Sequence, residues 1–144
     1  MSARTRHRDD GSATVETAIV IPSFMLFFAL VAFGGRLAIA HQAVQSAAAD
    51  AARAASIERT QSSAQSAATS AATTSLTNQQ VRCTSSSVAL DVAGFSAPVG
   101  TPASVSATVT CTVSVSDLAF PGLSGTTTVT ATMTSPIDTY RARQ

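Results

Sequence analysis

From Thr17 to Gly35 the sequence carries no charged side chain, and Ile19-Val20-Ile21 and Phe24-Met25-Leu26-Phe27-Phe28 leave almost no polar face between them. As a helix this run rises about 28 Å at 1.5 Å per residue, close to the roughly 30 Å hydrocarbon core of a bilayer. A surface helix of a globular protein keeps an apolar stripe rather than a continuous apolar surface. No second segment of this kind follows, so the sequence predicts at most one membrane crossing. Arg4, Arg6 and Arg8 precede the run, Arg36 follows it directly, and the next base is the distant Arg53. That bias favours a cytoplasmic N-terminus. Arg36 can lay its stem along the helix and hold its charge at the outer interface. Pro22 lies inside the run, removes an amide partner from the carbonyl near Ala18, and predicts a kink or an early-turn position.

Glu16 stands at the entrance to the run, where an acid is unwelcome and calls for a reason. Five residues before it is Gly11, which ends a short arginine-bearing leader. Three readings of this N-terminus compete. One is an uncleaved signal anchor. The second is a secretory signal peptide cut after Ala38-Ile39-Ala40, before His41; its apolar run exceeds the usual length, and Arg36 intrudes just before the site. The third is a leader that ends at Gly11 and is cut before Ser12.

The third reading has a family resemblance behind it. Gly11-Ser12-Ala13-Thr14-Val15-Glu16-Thr17-Ala18-Ile19-Val20-Ile21-Pro22, then Phe33-Gly34-Gly35-Arg36, then Gln45-Ser46-Ala47-Ala48-Ala49-Asp50-Ala51-Ala52-Arg53-Ala54-Ala55, resembles the TadE-like family of pseudopilins of tight-adherence (Flp-type) pili. The resemblance covers residues 11–55, and Thr17 departs from it, since an aromatic often follows the glutamate there. It implies a membrane-anchored minor pilin or pseudopilin of the bacterial cytoplasmic membrane. It also implies cleavage between Gly11 and Ser12 by a prepilin peptidase, and partners among other pilin-like subunits and a pilus assembly platform. Glycine admits the backbone to a narrow protease cleft. The cut frees an α-amine on Ser12, whose ordinary pKa of about 7.7–8.0 leaves it largely protonated at neutral pH. Paired with Glu16 of a neighbouring subunit, it would offset a desolvation cost that neither ion bears alone. Glu16 is then a subunit-packing residue. Its alternative role is to complement the helix N-terminal dipole.

The 144 residues leave room for one domain beside the membrane segment. The nine basic residues are all arginines, scattered, with a net charge of +1; nucleic acid is not an expected partner. Cys83 and Cys111 both lie beyond the apolar run. An even count in a translocated segment favours one disulfide over two separate thiols.

The expected fold is α+β and pilin-like. Its boundaries are a leader at 1–11, a transmembrane helix at 12–40, an Ala-rich soluble helix at 41–78 and a small β-rich head at 79–144. The soluble helix should continue the first one without a break until about residue 73. Ala43, Val44, Ala47, Ala48, Ala51, Ala52, Ala54 and Ala55 recur at helical spacing, either as plain helix formers or as a small-residue seam for close helix approach. Gly34 and Ala38 make one further small-residue pair. In residues 103–116 the apolar positions Val105, Ala107, Val109, Cys111, Val113 and Val115 alternate with hydroxyls, which is the pattern of a half-buried strand. Thr128–Thr134 repeats it, and Val88-Ala89-Leu90-Asp91-Val92 is a shorter candidate. Gly94 with Pro98-Val99-Gly100, and Pro121-Gly122-Leu123-Ser124-Gly125, are turn chemistry. An antiparallel three-strand sheet follows, covered on its apolar face by the second half of the long helix.

Catalytic chemistry has little to work with. His41 is the only histidine past the apolar run, the acids Asp50, Glu58, Asp91, Asp117 and Asp138 are scattered, and neither a nucleophile elbow nor a phosphate-binding glycine loop occurs. No enzyme, metal or cofactor is expected. Two alternatives remain open: a signal-anchored surface protein with a structural or adhesive head, and a secreted β-rich module.

Overall fold

The computed structural model describes residues 10–114, 116 and 125–140, with residues 10–14 described by backbone alone. Residues 1–9 of the expected leader and most of the expected turn at 121–125 lie outside the described residues. Helix α1 runs from Asp10 to Ser56. Helix α2 spans Gln61–Asn78. Three strands follow, β1 (Cys83–Asp91), β2 (Ala103–Ser114) and β3 (Thr126–Ile137), with a short 3-10 helix, Ala93–Ser96, between β1 and β2. The sheet has the order β1-β2-β3, and both pairings are antiparallel.

The expected single helix through residue 73 is corrected here. The chain leaves the helix at Ile57, turns at 58–60 and returns as α2 along α1. The turn contains no Gly or Pro, so its cause is capping rather than a breaker. Ser56 Oγ donates to the Arg53 carbonyl at 2.9 Å, and the Glu58 amide reaches the Ala55 carbonyl at 3.1 Å. Thr60 then adopts an extended backbone and accepts from the Ser63 amide, at 3.2 Å. It thereby satisfies one of the donors that a helix start leaves without a partner.

Along α2 the many hydroxyls are disarmed locally. Thr69, Thr73 and Thr77 each donate to the carbonyl four residues back at 2.8 Å, which lets poor helix formers sit on an exposed face. The helix ends on a left-handed residue, Gln80, with φ 57°. The Gln80 amide bonds the Thr77 carbonyl and the Val81 amide the Leu76 carbonyl, the bond pair of a Schellman motif.

Ala43, Val44, Ala47, Ala48, Ala51, Ala52 and Ala55 on α1 are all buried, as are Ala64, Ala68 and Ala72 on α2. The small-residue seam is therefore used inside the subunit, between α1, α2 and the sheet, with Ala54 only half-buried beside it. Against it stand Val105, Ala107, Val109, Cys111 and Val113 of β2, the expected inward row, with Val129 and Ile137 of β3. Strand β1 begins five residues earlier than the apolar pattern suggested, because Cys83–Ser87 pair with β2 although most of their side chains are exposed. The core is thin: its largest fully buried side chains are valines and Cys111.

The bridge Cys83–Cys111 is formed, with Cα atoms 5.4 Å apart. It ties the first residue of edge strand β1 to the central strand. On the outer face Ser106–Thr134, Thr108–Thr132, Thr110–Thr130 and Thr112–Thr128 form cross-strand hydroxyl pairs at 2.8 to 3.4 Å. Gly94 is required by contact, since a Cβ there would strike the Ser104 carbonyl oxygen.

Candidate anchoring and assembly segment

Helix α1 is two helices in function. From Ala40 onward one face of it lies in the core of the head, while from Val15 to Phe28 its apolar side chains project without intramolecular cover. Ile19, Met25 and Phe28 are each at least 65% exposed. In water, such a surface would be strongly unfavourable, because each large side chain left in solvent forgoes about 1.5–3 kcal/mol of burial. Among the described residues this is the one helix long and apolar enough to cross a membrane. The transition is abrupt: Phe33 and Leu37 are half-buried against the head's core, so the head sits on the end of the apolar run with no linker between.

Pro22 lies within α1 without ending it. Next to it the Ser23 hydroxyl donates to the Ile19 carbonyl at 2.8 Å, so this polar group is satisfied inside the apolar run. The Gly11–Ser12 bond falls in the first turn of α1, and the helix starts one residue before the glycine rather than after it. Glu16 is exposed, one turn further along. Gly34 and Ala38 are exposed too, with open space where a Cβ on Gly34 would stand. The Ala40–His41 bond lies in unbroken helix, with Ala40 buried.

The structure therefore separates the sequence-derived site residues into two groups. Gly11, Ser12 and Glu16 share the first turns of α1, where Glu16 is exposed, and Cys83 and Cys111 hold the sheet together in the head. Among the described residues no cluster of three or more His, Cys, Asp or Glu side chains forms that could hold a metal ion. Arg82, which the sequence did not single out, lies beside Arg36 in a groove at the base of the head. Only the chain reversal at 57–60 and the left-handed Gln80 bring it there.

A single apolar helix that projects from a head of a second helix and a three-strand antiparallel sheet is an α+β, pilin-like architecture. Residues 11–53 match the family model described as TadE-like protein. The match thus spans the exposed half of α1 and most of its buried half, and leaves α2 and the sheet outside it. No curated protein and no solved structure gives a significant match.

Proposed function

We propose that the chain is a membrane-anchored minor pilin or pseudopilin that takes part in assembling a tight-adherence-type pilus. The observation that carries this reading is a coincidence of place. The TadE-like match begins at Gly11, where a glycine, an acid five residues on and an uncovered apolar helix occur in that order. The leader faces the cytoplasm and the head lies outside. A prepilin peptidase cuts between Gly11 and Ser12. The new amine at Ser12 and the Glu16 carboxylate of a neighbouring subunit then set the depth at which helices pack, because two opposite charges in an apolar medium cannot be left apart.

The buried alanine face supports a division of labour. Since the alanine face of residues 40–55 is occupied within the subunit, close helix contacts between subunits fall to the apolar part of α1, with Gly34 and Ala38 as a point of close approach. The test is complementation. A strain that lacks this chain should lose or shorten its pili by electron microscopy, the wild-type chain should restore them, and Glu16→Gln should not, although it reaches the membrane at wild-type level. Full restoration by Glu16→Gln would refute the role of the carboxylate. Normal piliation without the chain would favour a signal-anchored surface protein instead.

A further inference from the structure

Between α1 and α2 lies a groove of about 500 Å³, whose walls hold no strand residue. Ser46 and Asp50 of α1 line one side, and Thr74, Ser75 and Asn78 of α2 the other. We propose that this groove takes the guanidinium of Arg53 from a second copy of the chain, and that the two copies exchange this contact reciprocally. The proposal rests on the membrane-anchored reading above and adds a partner to it.

Three observations carry it. The first is the charge of the groove. Asp50 is the one charged side chain in its lining. It is exposed, and among the described residues no ion pair or hydrogen bond engages it. The hydroxyls of Ser46 and Thr74 and the amide of Asn78 add acceptor oxygens around the carboxylate. Ser75 Oγ is already taken: it accepts from the Gln79 side-chain amide at 3.2 Å, and the same nitrogen reaches the Ala43 carbonyl at 3.5 Å. These contacts pin the end of α2 to α1 and fix the groove between them. A carboxylate among neutral acceptors, with no cation in the walls, suits a guanidinium, which has five donors and no acceptor.

The second is the source of the cation. All nine basic residues are arginines, so a guanidinium is the permanently charged side chain that a second copy can bring. Copies anchored by the same apolar run stand at equal depth, and the partner of Asp50 must therefore sit near its own height. Arg36 lies about 21 Å below Asp50 along α1. Arg82 follows the end of α2 that Gln79 ties to Ala43, and Arg59 lies past the end of α1. Arg53 is one turn above Asp50, about 4.5 Å higher and about 60° round the helix. It is exposed as well, and among the described residues its guanidinium is engaged by no ion pair or hydrogen bond.

The third is self-complementarity. Residues three apart on a helix are surface neighbours, so Asp50 and Arg53 put both signs of charge side by side on α1. Turning a second copy about an axis along the membrane normal lays Asp50 against its Arg53 and Arg53 against its Asp50, the pairing of an isologous contact. Both heads stay on the same side of the membrane. The long arginine side chain spans the gap, so the contact does not call on the alanine face, which is already buried inside each subunit.

The experiment is energy transfer between full chains that carry a donor or an acceptor at the N-terminus, reconstituted together in phosphatidylcholine vesicles and diluted with lipid. Asp50→Arg and Arg53→Asp should each weaken self-association about fivefold. Asp50→Asn should weaken it less, and the double variant Asp50→Arg/Arg53→Asp should restore it. Arg59→Asp, in the turn between α1 and α2, should leave it unchanged. Circular dichroism confirms that each variant is folded. Unchanged transfer in both single variants, or a double variant no better than the singles, would overturn the pairing. An equal loss in Arg59→Asp would reduce the effect to net charge and overturn it too. Wild-type chains that float with the vesicles but show no transfer would overturn the second copy as occupant and leave the anchor standing. Wild-type chains that fail to float would overturn the anchor as well.

Discussion

Replacing Cys83 and Cys111 together by alanine should cost the head a large share of its stability. The bridge closes a loop with a sequence separation of 28. In the chain-entropy account such a loop removes about 12 cal/mol/K from the unfolded ensemble, or about 3.6 kcal/mol at 25 °C. Cys111 is fully buried, so the lost sulfur contacts add up to about 1 kcal/mol. The rest of the head has little in reserve, because its core is built mostly of alanines and valines, and β1 contributes few inward side chains. For a head of about 100 residues, a loss near 4 kcal/mol lowers the melting temperature by roughly 15–30 °C. Scanning calorimetry of the full chain in detergent reads this directly. The apolar half of α1 stays helical in the micelle and contributes no transition. Reduced wild-type protein should melt close to the double-alanine variant. A variant that melts within about 5 °C of the oxidised wild type would refute the view that the bridge compensates for a thin core.

Other consequences are open to the same calorimetry. Thr60→Ala removes the cap of α2 and should cost about 1 kcal/mol, while Thr73→Ala on the exposed face should cost almost nothing. Ala68→Leu forces extra volume between α1 and α2 and should destabilise by about 1–3 kcal/mol. Gly94→Ala should be destabilising by a similar amount, since its methyl meets the Ser104 carbonyl. Gln80→Gly should stabilise by about 0.5–1 kcal/mol, because the left-handed position costs glycine nothing sterically.

The sequence made the architecture legible wherever a single period governed a segment. The charge-free run, the alternation through Val105, Ala107, Val109 and Cys111, and the two cysteines each carried their outcome in local pattern. The reversal at 57–60 did not stand out. Nothing there breaks a helix by propensity, and the deciding group is the hydroxyl of Thr60, one among many Ser and Thr residues in that stretch. The alanine face was legible as a seam, but its partner was not. A small-residue stripe says that something approaches closely, and only the reversal makes that partner α2 of the same chain. The groove at the base of the head was invisible for a related reason, since Arg36 and Arg82 belong to different elements and meet only after the fold has closed. Gly11, Ser12 and Glu16 were readable as a motif, and the structure adds that they share the first turns of α1, with Glu16 exposed.

The most direct test of the pilin-type account is the intact mass and N-terminal residue of the protein from native membranes, with and without the host's prepilin peptidase. The account predicts a chain that begins at Ser12 when the peptidase is present and retains residues 1–11 when it is absent. A chain that keeps its leader in both strains, or one that begins at His41, would contradict it.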